Sequence, residues 1–356
     1  MIRKALKNLE DSWTRSKNRV LIKHFGYKLA IIPYTSIGSE TSLLIQLRVL
    51  LVRKAKINHV LSRGFRSFFT SQAPGANIDV MLPGENVGCR LTTDRGGYVI
   101  KQVNHNLKPG WHKLTIKLAT TYVIGHRNKK KVVRSSLPSD FGIASTNALI
   151  VSQNDATGII CDVDDTVLVS NVPSKLTALK NLLFASPFKR SVVKGMPKLL
   201  DSLLEKYQNS FIVYLSAGPW NQYGFLKRFI TTNKLPFGPL ILQDIGPDDT
   251  KVFESTKLHK HNRIEDLLSL FPNVKWLLIG DDGQHDVEIY QRIANLHPTR
   301  IKAILIRQLT AVQHAMVSVL PFSLQATPKN NSTPTIMAPN GDELLRAFEA
   351  SSISLG

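Results

Sequence analysis

Five short, uninterrupted apolar runs in the second half of the chain restrict its possible folds more than any other feature. They are Ile159–Cys161, Phe211–Leu215, Leu240–Leu242, Trp276–Ile279 and Ala303–Ile306. Such runs are typical of strands that are buried on both faces of a sheet. Helical patterns lie between them, and the alternation predicts an α/β domain with a doubly wound parallel sheet over residues 151–320.

The first half of the chain has a different pattern. Residues 1–35 predict a basic N-terminal helix and a strand at Leu29–Pro33, and residues 36–150 predict a smaller β-sandwich-like domain. Turn pairs recur there about every 9–13 residues between short alternating segments: Pro74-Gly75, Pro83-Gly84, Gly96-Gly97 and Pro109-Gly110. Residues 135–157 are expected to connect the two domains. Residues 321–356 predict a flexible C-terminal tail, because residues 323–340 are rich in Pro, Ser, Thr and Asn. A short helix is expected within it at Asp342–Ala350.

Charge is concentrated in the first half. Residues 1–150 carry 25 Lys and Arg against 7 Asp and Glu, which is +18 of the total net charge of +20. A field of this size attracts polyanions such as nucleic acid, an anionic membrane surface or acidic substrates, although a solvated surface is the simpler alternative. Two cysteines exclude a disulfide framework. No signal peptide or membrane span is expected, so the sequence predicts a soluble protein.

Acidic residues follow the predicted strands at the points where those strands end. Asp162, Asp164 and Asp165 come directly after the first run, and Asp281, Asp282 and Asp286 come after the fourth; Ser216 ends the second. Ligands of open parallel sheets bind beyond the carboxyl ends of the strands. Carboxylates gathered there repel one another unless a cation neutralises them. An oxygen-only ligand set favours a hard cation, with Mg²⁺ first.

The same residues predict a phosphoryl-transfer mechanism. A carboxylate beside a metal ion can attack a phosphoryl group and divide hydrolysis into two easier steps. Asp162 is the candidate nucleophile. Asp164 lies two residues further along the strand and points the same way, so it can protonate the leaving oxygen and later activate water.

Four motifs resemble one family. Asp162-Val-Asp-Asp-Thr166 is similar to the DxDxT motif of the haloacid dehalogenase superfamily of phosphohydrolases, and Gly280-Asp-Asp-Gly-Gln-His-Asp286 to its acidic fourth motif. Together with Tyr214-Leu-Ser-Ala-Gly-Pro-Trp-Asn221 and His259-Lys260, they resemble the phosphatidate phosphatase catalytic domain of the actin patch protein family. The segments at 73–76, 92–98 and 109–112 resemble the β-domain that accompanies bacterial members.

The resemblance implies roles for individual residues. Asp162 would become phosphorylated, Asp164 would act as general acid and base, and Lys260 would offset the charge of nucleophile and phosphate. Mg²⁺ would be held by Asp162, Asp281 and the main-chain carbonyl of Asp164, with Asp286 ligating it directly or through water. Whether Asp282 or Asp286 completes the metal shell stays open at this point. The predicted phosphate- and substrate-binding residues are Thr166, Ser216, Ala217, Lys260, Trp220 and Asn221. The chain departs from the family pattern at Asp282, where a small polar residue is usual, and at Gly218, where serine is expected.

Several of these residues have simpler explanations. Ser216 could be a turn residue at a strand end, and Lys257 competes with Lys260 for its role. Trp220 and Asn221 could pack in the core, and Cys161 is expected to be a small core residue. The amphipathic segment 172–194 could form a cap that admits a lipid head group or a helix that packs on the sheet.

These features predict Mg²⁺-dependent phosphomonoester hydrolysis, most specifically of phosphatidate to diacylglycerol and phosphate. The expected partner is phosphatidate or another anionic phospholipid at a membrane surface. The expected location is the cytoplasm, with peripheral membrane binding. Two alternatives remain open at this point: a phosphatase for nucleic-acid phosphate ends or soluble phosphometabolites, and a non-catalytic basic adaptor that binds membranes.

Overall fold

The computed structural model describes residues 16–18, 20–53, 71–84, 88–119, 121–124, 131–134, 142–152, 154, 156–169, 190–207, 209–243, 252–283, 285–317, 333–351 and 353. The chain divides into two compact units, Met1–Ile150 and Val151–Gly356. Among the described helices, none has the length and apolar character needed to cross a lipid bilayer.

The first unit consists mainly of strands. After helical residues at 16–18 and 20–25, its strands are β1 (Tyr27–Pro33), β2 (Ser36–Gly38), β3 (Ser42–Arg53), β4 (Ser71–Gln72), β5 (Asn77–Met81), β6 (Cys89–Thr92), β7 (Tyr98–Asn104), β8 (Gly110–Leu118), β9 (Thr121–Ile124), β10 (Lys131–Arg134) and β11 (Ile143–Ile150). Nine of them form one sheet in the order β1-β3-β2-β11-β8-β5-β6, with β4 and β7 also paired to β3, while β9 and β10 pair with each other.

Alternating side chains build the core of this unit. Ile78 and Val80 of β5, Leu114 and Ile116 of β8 and Ile150 of β11 all face one buried apolar cluster, because successive residues of a strand point to opposite faces. The turn before β7 requires glycine: Gly97 has a φ of 77°, and a Cβ there would lie 2.5 Å from the carbonyl oxygen of Val49. An L side chain rarely adopts this backbone conformation.

Two boundaries predicted for the first unit are wrong. β1 pairs with β3 along its whole length, from Tyr27↔Arg53 to Pro33↔Leu47, so the strand in residues 1–35 belongs to the same sheet as the rest of the unit. Residues 143–150, which were expected to connect the domains, form β11 between β2 and β8. The outward positions of β11 include Ser145 and Asn147, and this polar composition concealed the alternation.

The second unit is an α/β domain with a parallel sheet, as predicted. Its strands are β12 (Thr157–Asp162), β13 (Phe211–Pro219), β14 (Leu240–Gln243), β15 (Lys275–Asp281), β16 (Ile301–Arg307) and β17 (Thr335–Ala338). All neighbouring strands pair in parallel, in the order β14-β13-β12-β15-β16-β17. The helices are α1 (Met196–Lys206), α2 (Tyr223–Thr232), α3 (Val252–Leu270), α4 (Asp286–Leu296), α5 (Ala311–Val317) and α6 (Gly341–Ala350), with a 3₁₀ turn at Trp220–Gln222.

The strand order places a crevice between β12 and β15. From β12 the chain adds β13 and β14 on one side, and then returns to add β15, β16 and β17 on the other. The direction of winding therefore reverses between two adjacent strands, and ligands of open α/β sheets bind outside the carboxyl ends of the strands at such a point. β12 and β15 are in contact there, with Cys161 opposite Ile279.

The predicted flexible tail, residues 321–356, is wrong over its second half. Thr335–Ala338 forms the edge strand β17, which pairs with Ile304–Arg307. The helix expected at Asp342–Ala350 is present as α6; it begins after Asn340, whose side chain accepts a hydrogen bond from the backbone N–H of Glu343, and it buries Leu344, Leu345 and Phe348. A four-residue edge strand is too short to leave a recognisable pattern. Residues 318–332, and residues 172–189 of the predicted cap segment 172–194, lie outside the described part of the chain.

Candidate active site

Three aspartates meet at the crevice between β12 and β15. Asp162 is the last residue of β12, Asp281 is the last residue of β15, and Asp286 is the first residue of α4. One carboxylate oxygen from each lies within 4.8 Å of the others, and all three side chains are buried. Gly280 makes this approach possible, because a Cβ there would lie 2.6 Å from Oδ2 of Asp286.

One lysine neutralises part of this charge. Lys260 projects from α3, and its Nζ lies 2.6 Å from Oδ1 of Asp162 and 2.5 Å from Oδ1 of Asp286. Its side chain is only 4% exposed. Lys257, the rival candidate, forms an exposed ion pair with Glu288 at 2.7 Å instead. Of the two lysines, the structure brings Lys260 to the aspartates.

Burial and mutual repulsion control the ionisation of the cluster. Burial raises the pKa of Asp162 well above its ordinary value, and Asp286 and Asp281 raise it further against the opposing effect of Lys260. Burial and Asp286 likewise raise the pKa of Asp281. Burial alone lowers the pKa of Lys260, but Asp162, Asp286 and Asp281 outweigh it, and the net pKa of Lys260 is raised. The lysine is therefore charged, and the aspartates need more positive charge than it supplies.

Thr166 connects the two strand-end aspartates. Its Oγ1 lies 3.1 Å from Oδ2 of Asp162 and 3.3 Å from Oδ2 of Asp281, so its one hydroxyl proton can be donated to either. It reaches them because the chain turns sharply after β12: Asp165 has a φ of 58°, and its N–H donates to the carbonyl of Leu168. The structure thus brings a predicted phosphate-binding residue into the cluster.

Asp164 and Ser216 form a second group beside the cluster. The hydroxyl of Ser216 donates to Oδ2 of Asp164 at 2.9 Å and accepts from the backbone N–H of Gly218 at 2.9 Å. Ser216 is therefore more than a turn residue. The carboxylate of Asp164 is not one of the three clustered carboxylates, and its predicted contribution to a metal site is through its main-chain carbonyl.

Asp282, the alternative metal ligand, is directed elsewhere. Its Oδ1 accepts from the backbone N–H of Leu309 at 2.8 Å and lies 3.2 Å from Nε2 of His314. It immediately follows Asp281, so its side chain points to the other side of the chain. Of Asp282 and Asp286, the structure brings Asp286 to the carboxylates of Asp162 and Asp281.

The remaining predicted substrate residues follow Ser216. Ala217 and Asn221 are half-buried. The ring of Trp220 is 2% exposed and lies 6.3 Å from the ring of Tyr223, centroid to centroid. This burial favours the alternative that Trp220 packs in the core over its predicted substrate-binding role, because large aromatic rings are buried for the apolar area they remove from water.

Two residues near the site had no recognisable pattern in the sequence. A Cβ at position 218 would lie 2.9 Å from Oε1 of the buried Gln222. Glycine therefore stands in place of the expected serine, because the carboxamide of Gln222 approaches the backbone there.

Arg307, at the end of β16, donates from Nη1 to the main-chain oxygen of Asp165 at 2.5 Å and from Nη2 to Oε1 of Gln313. It holds the positive-φ turn at Asp165, within the motif Asp162–Thr166. Its position at the end of a buried strand is the one feature of the sequence that could have indicated this role for Arg307.

Residues 157–308 match the family described as "Phosphatidate phosphatase APP1, catalytic domain". This match lies within the second unit and contains all the site residues described above. The resemblance to the phosphatidate phosphatase-like family that the motifs predicted is therefore confirmed for this part of the chain.

Two curated fungal proteins are similar to the chain. "Phosphatidate phosphatase APP1" of Saccharomyces cerevisiae is 27% identical over 256 residues, which cover 70% of this chain and 40% of that protein. "Uncharacterized protein C29B5.04c" of Schizosaccharomyces pombe is 24% identical over 192 residues, covering 52% of this chain and 31% of that protein. The chain thus spans well under half the length of both relatives. A solved ferredoxin-NADP+ reductase from Plasmodium falciparum aligns over 79% of this chain and 95% of its own with 9% identity and a TM-score of 0.18, too low to indicate a common fold.

Proposed function

We propose that the second unit is a haloacid dehalogenase-like, Mg²⁺-dependent phosphatase that hydrolyses phosphomonoesters through an aspartyl-phosphate on Asp162. The observation that carries the proposal is the meeting of three buried carboxylates and Lys260 at the crevice where the sheet reverses its winding. Burying several carboxylates together lowers the stability of a protein, and such groups are concentrated at functional sites. Phosphoryl transfer depends mainly on positioning and charge neutralisation, which this arrangement provides.

The donor set fits a magnesium ion. Asp162, Asp281 and Asp286 offer only oxygen atoms, and Oδ2 of Asp286 is buried without a hydrogen-bond partner in the described structure. Lys260 supplies one positive charge to three carboxylates, so a divalent cation would neutralise the remainder. We assign the ion to these three side chains and to the main-chain carbonyl of Asp164. When bound, Mg²⁺ would neutralise the phosphoryl oxygens and orient them for attack.

The residues divide the reaction into two steps. A carboxylate oxygen of Asp162 attacks phosphorus, the bond from phosphorus to the ester oxygen breaks, and Asp164 gives its proton to the departing oxygen. Water then attacks phosphorus, loses a proton to Asp164, and releases phosphate and Asp162. Lys260 stabilises the added negative charge. Thr166 and Ser216 orient the two aspartates through the hydrogen bonds at 3.1 Å and 2.9 Å.

Phosphatidate is the proposed substrate. One relative carries the name phosphatidate phosphatase, and the first unit has the positive charge to bring the enzyme to an anionic lipid surface, where each basic residue contributes about 1 kcal/mol. We accordingly propose a cytoplasmic protein that binds membranes peripherally. Nucleic-acid phosphate ends and soluble phosphate esters remain the alternative substrates, and a non-catalytic adaptor remains the alternative function.

Phosphate release tests the proposal. The chain is incubated with phosphatidate vesicles, a 3′-phosphorylated oligonucleotide and a soluble phosphate ester, each with Mg²⁺ or with EDTA. We expect release from phosphatidate in Mg²⁺ alone, and none from Asp162→Asn. Asp201→Asn, which neutralises an exposed aspartate on α1, is the matched control and should retain full activity. Activity of Asp162→Asn equal to that of Asp201→Asn would rule out Asp162 as the nucleophile. Faster phosphate release from the oligonucleotide than from phosphatidate would identify nucleic-acid phosphate ends as the substrate instead.

A further inference from the structure

The outward face of β8 and β11 combines exposed apolar side chains with lysines. β8 and β11 are antiparallel neighbours, with Trp111 opposite Leu149 and Lys117 opposite Ile143. Leu114, Ile116 and Ile150 face the core, so the alternate residues point outward. We call these outward residues the Trp111 face: Trp111, Lys113, Thr115, Lys117, Ile143, Ser145, Asn147 and Leu149.

Exposure distinguishes this face from an ordinary polar surface. Trp111 is 46% exposed and Ile143 is 49% exposed, and both are among the most exposed large apolar side chains described in the first unit. Lys113 and Lys117 are also exposed. A half-exposed tryptophan is typical of surfaces that contact the boundary between water and lipid, where its amphipathic ring is accommodated.

Charge on and around the face is complementary to an anionic surface. The Trp111 face contains two lysines and no acidic residue. On the adjoining strand β5, Asp79 lies opposite Lys117, but it is paired with Arg90 at 2.7 Å. The face belongs to the unit that carries +18. Lysine can extend its ammonium group to lipid phosphates while its methylene chain lies along apolar groups.

We propose that the Trp111 face is the surface by which the first unit docks on an anionic lipid bilayer. Trp111, Ile143 and Leu149 enter the interfacial layer, and Lys113 and Lys117 contact the lipid phosphates. A bilayer fits better than single-stranded nucleic acid, since the face offers one aromatic side chain where base stacking uses several in succession. The docking deepens the proposed function, because it would present the second unit with a membrane-bound substrate.

Vesicle binding of the full chain carrying Asp162→Asn tests this surface without turnover. The vesicles contain either phosphatidylcholine alone or phosphatidylcholine with phosphatidylglycerol, an anionic lipid that offers no phosphomonoester. We expect binding to the anionic vesicles only. Adding Lys113→Glu changes two charge units and should weaken binding about 25-fold, at about 5-fold per unit near the surface. Lys101→Glu, at an exposed position on β7, is the matched control and should weaken it less than about 3-fold.

The apolar contribution is tested separately. Trp111→Ala should weaken binding about 10- to 100-fold at both low and high salt, because the loss of apolar area is not screened by ions. Brominated lipids should quench the tryptophan fluorescence of the bound protein, and Trp111→Phe should abolish that quenching. Tryptophan fluorescence and circular dichroism of each variant establish that it is folded.

Three results would overturn the docking surface. They are equal effects of Lys113→Glu and Lys101→Glu, quenching that persists in Trp111→Phe, and loss of oligonucleotide binding without loss of vesicle binding in Trp111→Ala. The proposed function is tested apart from it with water-soluble short-chain phosphatidate and the active chain. Hydrolysis unchanged by Trp111→Ala supports separate docking and catalytic sites, whereas absent hydrolysis with intact vesicle binding removes the phosphatase proposal alone.

Discussion

Replacing Lys260 by methionine tests whether the carboxylate cluster requires its cation. Each contact of Nζ with Asp162 and Asp286, at 2.6 Å and 2.5 Å, corresponds to about 6 kcal/mol of attraction at an effective dielectric constant of 20. Desolvation of the buried ions offsets most of this gain. Removing one partner from a buried ion pair leaves the other uncompensated, so we expect Lys260→Met to lower the unfolding free energy of the second unit by about 3–5 kcal/mol in EDTA.

Denaturant unfolding followed by tryptophan fluorescence measures this loss. Trp220 and Trp276 are both buried in the second unit and report on its unfolding. Lys257→Met is the matched control on the same helix; its ion pair with Glu288 is exposed, so we expect a loss below about 1 kcal/mol. Mg²⁺ should restore part of the stability of Lys260→Met, because a divalent cation would neutralise the same carboxylates.

A double variant refines the result. Asp286→Asn removes one of the carboxylates that Lys260 neutralises, so adding it to Lys260→Met should recover about 1–3 kcal/mol of the loss. Equal stability of Lys260→Met and Lys257→Met in EDTA would refute the reasoning. The three carboxylates would then tolerate one another without a cation, and the electrostatic basis of the proposed metal site would be removed.

Three further predictions concern residues around the site. Arg307→Ala removes the hydrogen bond to the Asp165 carbonyl and should lower the kcat of the proposed phosphatase reaction at least about 10-fold, with little change in KM. Added guanidinium should restore part of this activity, and a change confined to stability would contradict the role of Arg307. Gly158→Ala should destabilise the second unit by about 1–3 kcal/mol, because the added Cβ would lie 2.4 Å from the Trp276 ring; unchanged thermal unfolding would exclude this packing. Burial, Arg263 and Lys260 lower the pKa of His259 from 6.5 to about 4, so below pH 6.5 the unfolded chain takes up the proton first and stability falls. Between pH 7 and pH 4 the wild type should lose up to about 3 kcal/mol more than His259→Gln, and parallel stability curves would contradict this.

Much of the second unit was predictable because its strands are buried on both faces. Such strands appear as continuous apolar runs. Asp162 follows one run directly, and Asp281 follows another after Gly280. Once the runs were recognised as parallel strands, the rule that ligands bind at their carboxyl ends brought these aspartates together. The helix at Asp342–Ala350 was likewise recognisable from its local pattern.

Other parts of the site could not be predicted, because they depend on contacts between distant segments. The choice of Asp286 over Asp282 depends on the direction in which the chain leaves β15, and the role of Arg307 depends on a contact with a turn 142 residues earlier. The glycine at position 218 is explained only by the side chain of Gln222, which lies where a Cβ at position 218 would be. The sequence patterns of β11 and β17 were weak. The outward residues of β11 are polar, and β17 has only four residues.

Local composition and spacing were thus sufficient to identify five of the six described parallel strands, the acidic residues at their ends and the excess charge of the first 150 residues. Each of these properties is expressed along a few consecutive positions. The burial of Trp220, the selection of Lys260 over Lys257 and the pairing of β1 with β3 became evident only in the folded chain. The physical reason is that burial and ion pairing depend on which distant segments exclude water from a side chain.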